Sequence, residues 1–325
     1  MANIKQIADM AGVSVATVSR VLNNRPYVSK EKRNAVMKAV RELNYKQNIH
    51  AIHLKTGKTQ TVGVILPFVN HPYFGAILEG IASEALKANH RLIVCQTNYD
   101  PDDEIGLLES LKMKQMDGVI ICSKAADWER IEPYAVHGPI VACEDTGDRA
   151  ISSVYIDHYG GFMTGMQYLI EKGNRRIGYC IGRGHSFNSR NRKRAFRDAL
   201  EQIGEVPRRE WMFEQCLTIE DGVRVVHDLS EMEERPSALL VSCDQVAAGI
   251  IMEARRRGWR IPGDLAVMGF DNHPIAQVLD LTTIEHPGRR MGEHAFRLLL
   301  SRIEKEPSEP ERVELPYRLI ERGTV

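Results

Sequence analysis

From Thr61 onward the chain repeats one pattern, a short run of apolar residues followed by an amphipathic helical stretch. Nine such runs stand in order: TVGVIL, RLIVCQT, DGVIICS, GPIVACED, SVYID, RIGYCIG, ALLVSCD, LAVMGFD and LTTIEH. A strand that is apolar on both sides must be covered on both faces, and helices between consecutive strands supply that cover. The pattern therefore predicts parallel sheets with helices on each side. Nine strands are too many for one easy sheet at this length. A break near His158 and Tyr159 gives two similar halves, with the last strand and helices crossing back. The expected fold class is α/β, two doubly wound parallel-sheet subdomains behind a small all-α headpiece.

The 325 residues suit two domains with room for a third, and the ordinary composition excludes a disordered, collagen-like or repeat-array chain. Apolar runs such as 62–66 and 238–241 fall far short of the ~20 residues a membrane span needs. Residues 1–14 read as an amphipathic helix and turn rather than a signal segment. Cys95, Cys122, Cys143, Cys180, Cys216 and Cys243 lie far apart with no C-x-x-C, which suits buried reduced thiols in a cytoplasm better than disulfides or zinc. The expectation is a soluble cytoplasmic protein with no metal and no cofactor. Net charge is zero, yet residues 1–60 hold eleven Lys and Arg against three acids, leaving 32 basic and 40 acidic groups for the rest. A basic head on an acidic body suggests that the head meets a polyanion.

In the head, Ile4, Ile7, Ala8 and Ala11 share one helical face. Gly12 can leave that helix with positive φ, and Ser14 can cap a second helix, VATVSRVLN, through Asn23. A third helix fits Ser29–Asn44, capped by Ser29, with Val36, Val40 and Leu43 as its buried stripe. Ala8, Gly12 and Val18 stand at helix-turn-helix offsets. The small residue lets the helices approach, the glycine turns the chain, and the β-branched residue locks the second helix onto the first.

The stretches IKQIADMAGVSVATVSRVLN and VSKEKRNAVMKAVRELNY resemble the lactose-repressor/galactose-repressor (LacI/GalR) family of bacterial transcription regulators, and the resemblance runs through nearly the whole chain. ACEDTGD looks most like the catabolite-control-protein branch, of the B type. The resemblance implies a type I periplasmic-binding-protein-like body and a second helix lying in the major groove. Val15 and Ala16 match the family's specificity positions; being apolar, they can contact thymine methyls but donate no hydrogen bond. Arg20, one turn on, can fork onto guanine O6 and N7. Ser14, Thr17, Ser19, Asn23 and Ser29, with Tyr45, would hold phosphates. Residues 48–58 correspond to the family's hinge helix. Ala51 is the small residue that lets two hinges pack, and Leu54 is the wedge into the minor groove. Gln47 stands where the family usually has proline.

Doubly wound sheets bind ligands beyond the C-terminal ends of their strands. Read there, Tyr73 and Phe74 follow the first strand, Glu144 ends the fourth, Tyr155 lies on the fifth, and Asp244 and Asp271 end two later ones. Arg192, three before Ala195–Phe196, matches the family's effector-binding arginine, and His286 occupies a position the family often fills with glutamine. Acids, an arginine and aromatic rings together can grip hydroxyls and stack a sugar face, so a sugar or sugar phosphate fits. The competing reading is that Asp244 and Asp271 cap the helices that follow and that Phe74 and Tyr155 are core residues.

No G-x-S-x-G, H-E-x-x-H, Walker loop or correctly spaced G-x-G-x-x-G is present, so no enzyme is expected. The expected partners are a pseudopalindromic operator duplex, a small effector, a second copy of the chain and, by resemblance to the catabolite-control branch, a phosphocarrier-protein corepressor. No membrane partner is expected, and the cellular location expected is the bacterial nucleoid. The competing reading is a sugar-binding protein without regulatory output, against which the head argues. The expected domains are a headpiece 1–46, a hinge 47–60, an N-terminal subdomain 61–158 plus 288–316, and a C-terminal subdomain 159–287 plus 317–325.

Overall fold

A computed structural model of the protein describes residues 3–22, 26–45, 57–305 and 309–325. The chain forms two units, Met1–Lys58 and Thr59–Val325. Asn23, the hinge residues Ala51 and Leu54, and Gln47 lie outside the described residues.

The first unit contains helices Ile4–Ala11, Val15–Leu22 and Lys30–Glu42. Asn3 and Gln6 close a reciprocal capping box at the start of the first, which gives Gln6 a local task. Gly12 ends that helix at φ 63°, and Ser14 Oγ accepts the Thr17 N–H at 3.2 Å to start the next. Ser29 caps the third, accepting from the Lys32 N–H. That helix stops two residues earlier than its pattern suggests, because Asn44 turns left-handed at φ 46° and the Tyr45 N–H returns to the Val40 carbonyl. Ile7, Ala8, Val18, Val21, Val36 and Ala39 form the buried core, with Val40, Leu43 and Tyr45 packed at its edge.

The second unit holds two six-stranded sheets. The strands are β1 Thr61–Leu66, β2 Arg91–Gln96, β3 Gly118–Ile121, β4 Ile140–Ala142, β5 Ser152–Tyr155, β6 Ile177–Cys180, β7 Met212–Phe213, β8 Ala238–Val241, β9 Ala266–Asp271, β10 Thr282–Glu285, β11 Arg312–Glu314 and β12 Arg318–Ile320. The first sheet runs β11-β5-β4-β3-β1-β2 and is parallel throughout. The second runs β12-β10-β9-β8-β6-β7 and is parallel except for β12 against β10. The chain passes between the sheets after β5, after β10 and between β11 and β12. β1, β3 and β4 are buried almost end to end, as their unbroken apolar sequence requires, whereas β2 is an edge strand with Ile93 and Val94 exposed. No helix among the described residues is long and apolar enough to cross a membrane. All six cysteines are free.

Two helix pairs cross at glycines. Helix Pro72–Lys87 packs on Gly288–Glu304, where a Cβ on Gly80 would sit 2.0 Å from the Arg289 carbonyl oxygen and one on Gly292 2.0 Å from that of Ile77. Helix Ile219–Ser230 packs on Asp244–Arg256 in the same way through Gly222 and Gly249.

Candidate recognition helix and ligand cavity

Helix Val15–Leu22 buries Val18 and Val21 and turns the other side outward. Val15, Ala16 and Arg20 are exposed on that side, with Arg20 one turn beyond Ala16, while Thr17 and Ser19 are half-buried. Ser14 and Ser29 serve as helix caps, and Tyr45 packs on the three-helix core. These three therefore have structural work that is independent of any partner.

The second unit encloses a cavity of about 100 Å³ between its sheets, which opens toward a larger outer recess of about 970 Å³. His71, Tyr73, Phe74, Tyr99, Ser123 and Glu144 line the cavity from the ends of the first sheet's strands. His158, Arg183, Ser189, Arg192, Cys243 and Asp271 line it from the other side. Glu144, Arg183 and Ser186 border both spaces. Arg183 spans the gap: its guanidinium lies 3.5 Å from the centre of the Tyr99 ring and donates to the Lys124 carbonyl at 2.7 Å. A second tie joins the sheets where His71 Nε2 meets the Cys243 thiol at 3.8 Å.

Arg192 lies deep in this cavity. One Nη donates to His158 Nδ1 at 3.1 Å, and the Phe270 ring lies 5.0 Å away. Because a guanidinium can only donate, His158 Nδ1 accepts and the ring is neutral, consistent with burial and the adjacent Arg192 holding its pKa well below the ordinary value. His286 leans on Tyr73 at 4.8 Å and meets His158 edge-on at 5.5 Å. Neither of its ring nitrogens has a hydrogen-bond partner among the described residues, and burial lowers its pKa to about 3. Asp271 ends β9 at φ 117°, a conformation costing a non-glycine residue about 1–3 kcal/mol, with its carboxyl 3.6 Å from His286 Nδ1. Burial raises the Asp271 pKa above the usual carboxylate range. Glu144, two residues beyond β4, is also raised by burial despite Lys124 at 3.7 Å.

Of the eight residues expected at a ligand site, Tyr73, Phe74, Glu144, Arg192 and Asp271 come together in the cavity. His286 lies against Tyr73 and faces a recess beside the crossovers. Asp244 is placed differently: it is fully buried at the start of helix Asp244–Arg256, accepting from the Thr283 hydroxyl and the His273 N–H, both at 2.7 Å. It anchors the loop after β9 and does not line the cavity. Tyr155 faces a neighbouring depression beside Asp145 and Asp157, where the Arg312 guanidinium lies 5.5 Å from its ring. Sequence reading passed over His71, His158, Arg183 and Cys243 as ligand-site residues. His158 and Arg192 are 34 residues apart and meet only because their helices pack, so no local pattern marks the pair.

The profile described as "Bacterial regulatory proteins, lacI family" matches residues 3–48, and that of a periplasmic binding protein-like domain matches residues 166–325. The chain is 45% identical to the uncharacterized HTH-type transcriptional regulator YkvZ of Bacillus subtilis (strain 168), over the full length of both. It belongs to the LacI family of bacterial transcriptional regulators. Catabolite control protein B of the same organism is 38% identical over 92% of this chain and 94% of its own. Among solved LacI-family structures, the lac repressor dimer bound to operator and the anti-inducer ONPF superposes with a TM-score of 0.88, with 25% identity over 99% of this chain and 98% of its own. The regulator CelR in complex with cellobiose gives 0.72, with 26% identity over the whole of both chains.

The neutral histidines make this LacI-family body acid-sensitive. His286 takes up a proton near pH 6.5 when unfolded but only near 3 when folded, so the stability it confers is present above pH 6.5 and lost as pH falls toward 3. Urea unfolding should show wild type losing about 2 kcal/mol more than His286→Gln between pH 7.5 and pH 5. Parallel pH profiles for the two proteins would mean that His286 is not held neutral.

Proposed function

We propose that this LacI-family regulator is a homodimeric repressor of carbohydrate-related genes, and that a sugar or sugar phosphate in the cavity sets its operator affinity. The carrying observation is that loops from both sheets wall the cavity, so occupancy bears directly on the spacing of the sheets. Tyr73 and Phe74 offer ring faces, Arg192 and Asp271 offer charged or hydroxyl-binding groups, and His286 supports Tyr73 from behind. The DNA-reading positions are Val15, Ala16 and Arg20, with Ser14, Thr17, Ser19, Asn23, Ser29 and Tyr45 toward phosphates, and Ala51 and Leu54 at the hinge. The exposed β2 edge, with Ile93 and Val94, suits burial against a second copy. The working location is the cytoplasm at the nucleoid, and the activity is binding, without catalysis. A phosphocarrier corepressor is a further candidate partner. The subdomains we assign are 61–158 plus 288–316 and 159–287 plus 317–325, following the sheets.

Selection of binding sites from a randomised duplex library tests this reading. The expected product is a pseudopalindrome with half-sites ~34–36 Å apart, bound by two copies and altered in affinity by one member of a sugar panel. An asymmetric site filled by one copy would overturn the dimeric repressor. Operator binding that no sugar alters would overturn the effector assignment.

A further inference from the structure

We propose that Cys180 and Cys216 form a dithiol in the wall of the cavity that a hydroperoxide oxidises to a disulfide. Cys180 ends β6, and the segment after β7 stays hydrogen-bonded to the residues that follow it. The Ile181 amide donates to the Phe213 carbonyl at 2.9 Å, and the Gln215 amide donates to that of Gly182 at 2.9 Å. The Cys216 amide donates to the Ile181 carbonyl at 3.0 Å, so Cys216 is held beside the neighbour of Cys180. Backbones paired in this way run ~4.8 Å apart, within the ~4.4–6.8 Å between Cα atoms that a disulfide needs. The two side chains share one hydrophobic cluster, and their thiols hydrogen-bond to one another. Cys180 is fully buried, while Cys216 lines the cavity.

The two thiols have different tasks. Attack on a peroxide needs a thiolate. The hydrogen bond from Cys180 favours the charged form of Cys216 and holds its pKa below the ordinary thiol value, against burial and Asp221. The Cys216 thiolate attacks one peroxide oxygen, forming an S–O bond as the O–O bond breaks. The alkoxide released takes up the proton that Cys216 gave up and leaves as alcohol. Cys180 then attacks the sulfenic sulfur, forming the S–S bond and releasing water. Two thiols are oxidised by two electrons, and the hydroperoxide is reduced to alcohol and water. The other cysteines lack this combination. Cys243 also lines the cavity, but burial pushes its pKa far up, and its neighbour is His71 Nε2 at 3.8 Å. Cys122 and Cys143 follow β3 and β4 side by side, yet neither lines the cavity. Cys95 lies on the β2 edge opposite Ile65, with no thiol across the ladder. A hydrogen bond joins His71 to the backbone of Leu217, so the crosslinked segment is also where the first sheet rests on the second. A disulfide there fixes one wall of the cavity.

Peptide mapping of the full chain tests this, with native protein treated with tert-butyl hydroperoxide, alkylated and digested without reductant. The expected product is a linked Cys180–Cys216 peptide pair that disappears on reduction. It should form at least tenfold faster than any link between Cys122 and Cys143. Cys180→Ser should stop at a sulfenic acid on Cys216, which dimedone traps, and Cys216→Ser should leave Cys180 a free thiol. If either variant fails to fold, the wild-type map decides alone. Linkage through other cysteines, or a Cys180–Cys216 link that forms only in urea, overturns the inference. So does a wild type that keeps both thiols after the oxidant has consumed free cysteine added alongside, or a folded Cys180→Ser that takes no dimedone.

Discussion

Arg20→Ala is expected to lower affinity for the selected operator by roughly 30- to 20,000-fold while leaving affinity for scrambled duplex nearly unchanged. Arg20 is exposed on the outward side of helix Val15–Leu22, one turn beyond Ala16, and Val18 and Val21 fix that side by filling the core opposite. A bidentate arginine–guanine contact contributes about 1–3 kcal/mol of discrimination, and a dimer makes the contact twice, hence about 2–6 kcal/mol in total. Val15 and Ala16 donate nothing to a base edge, so little else on this side of the helix can compensate. Lys5 and Lys32 are also exposed, and they serve as the contrast. Their alanine variants should weaken operator and scrambled DNA alike, because phosphate contacts carry no sequence information. Filter binding at two salt concentrations separates the two behaviours. Equal losses on both duplexes for Arg20→Ala would place the helix wrongly.

The second large effect concerns the body. Gly292→Ala puts a methyl 2.0 Å from the Ile77 carbonyl oxygen and 2.9 Å from the Ile81 amide nitrogen, atoms of the facing helix's backbone that cannot rotate away. The two helices must separate, at a cost of about 1–3 kcal/mol or somewhat more, which exceeds the gain of about 1 kcal/mol from replacing a helical glycine. Gly106 is the control. It lies within helix Pro101–Lys112, and a Cβ there meets nothing within 4 Å, so Gly106→Ala should stabilise by about 0.5–1 kcal/mol. Each kcal/mol moves Tm by roughly 2–4 °C in a unit of this size, so calorimetry should shift the two variants in opposite directions. An unchanged Tm for Gly292→Ala would contradict the close helix approach.

Nine strands were legible because an apolar run stands between helical stretches at each, a signal strongest where both faces are buried, as in β1, β3 and β4. β7, β11 and β12 were not, since they span two or three residues and carry exposed arginines or half-buried side chains at sheet edges. In the headpiece, caps and turn chemistry lie close in sequence, and the three helices were readable within two residues at their ends. The cavity was harder. Strand ends gave the correct neighbourhood for Tyr73, Phe74 and Asp271. They did not distinguish Asp271, which faces the cavity, from Asp244, which turns under it to hold Thr283 and the loop at His273. That difference depends on which way a carboxyl leaves the backbone, at the last residue of β9 for Asp271 and three residues past β8 for Asp244. Arg183 and His158 gave no sequence signal because their partners, Tyr99, Lys124 and Arg192, come from other parts of the chain.

All three passages between the sheets lie at one margin, beside β5 and β11 in the first sheet and β10 and β12 in the second, whereas β2 and β7 lie at the opposite margins. Motion of one sheet against the other therefore works as a lever with its fulcrum at those three segments. Strands are ~4.8 Å apart, so five intervals place β2 about 24 Å from the fulcrum, and a rotation of about 10° would sweep it through about 4 Å. The cavity needs only a small change in gap to take or release a ring. The same rotation moves β2 farther than the strands nearer the fulcrum, so a change of gap at the cavity is carried in enlarged form to the edge proposed above for a second copy.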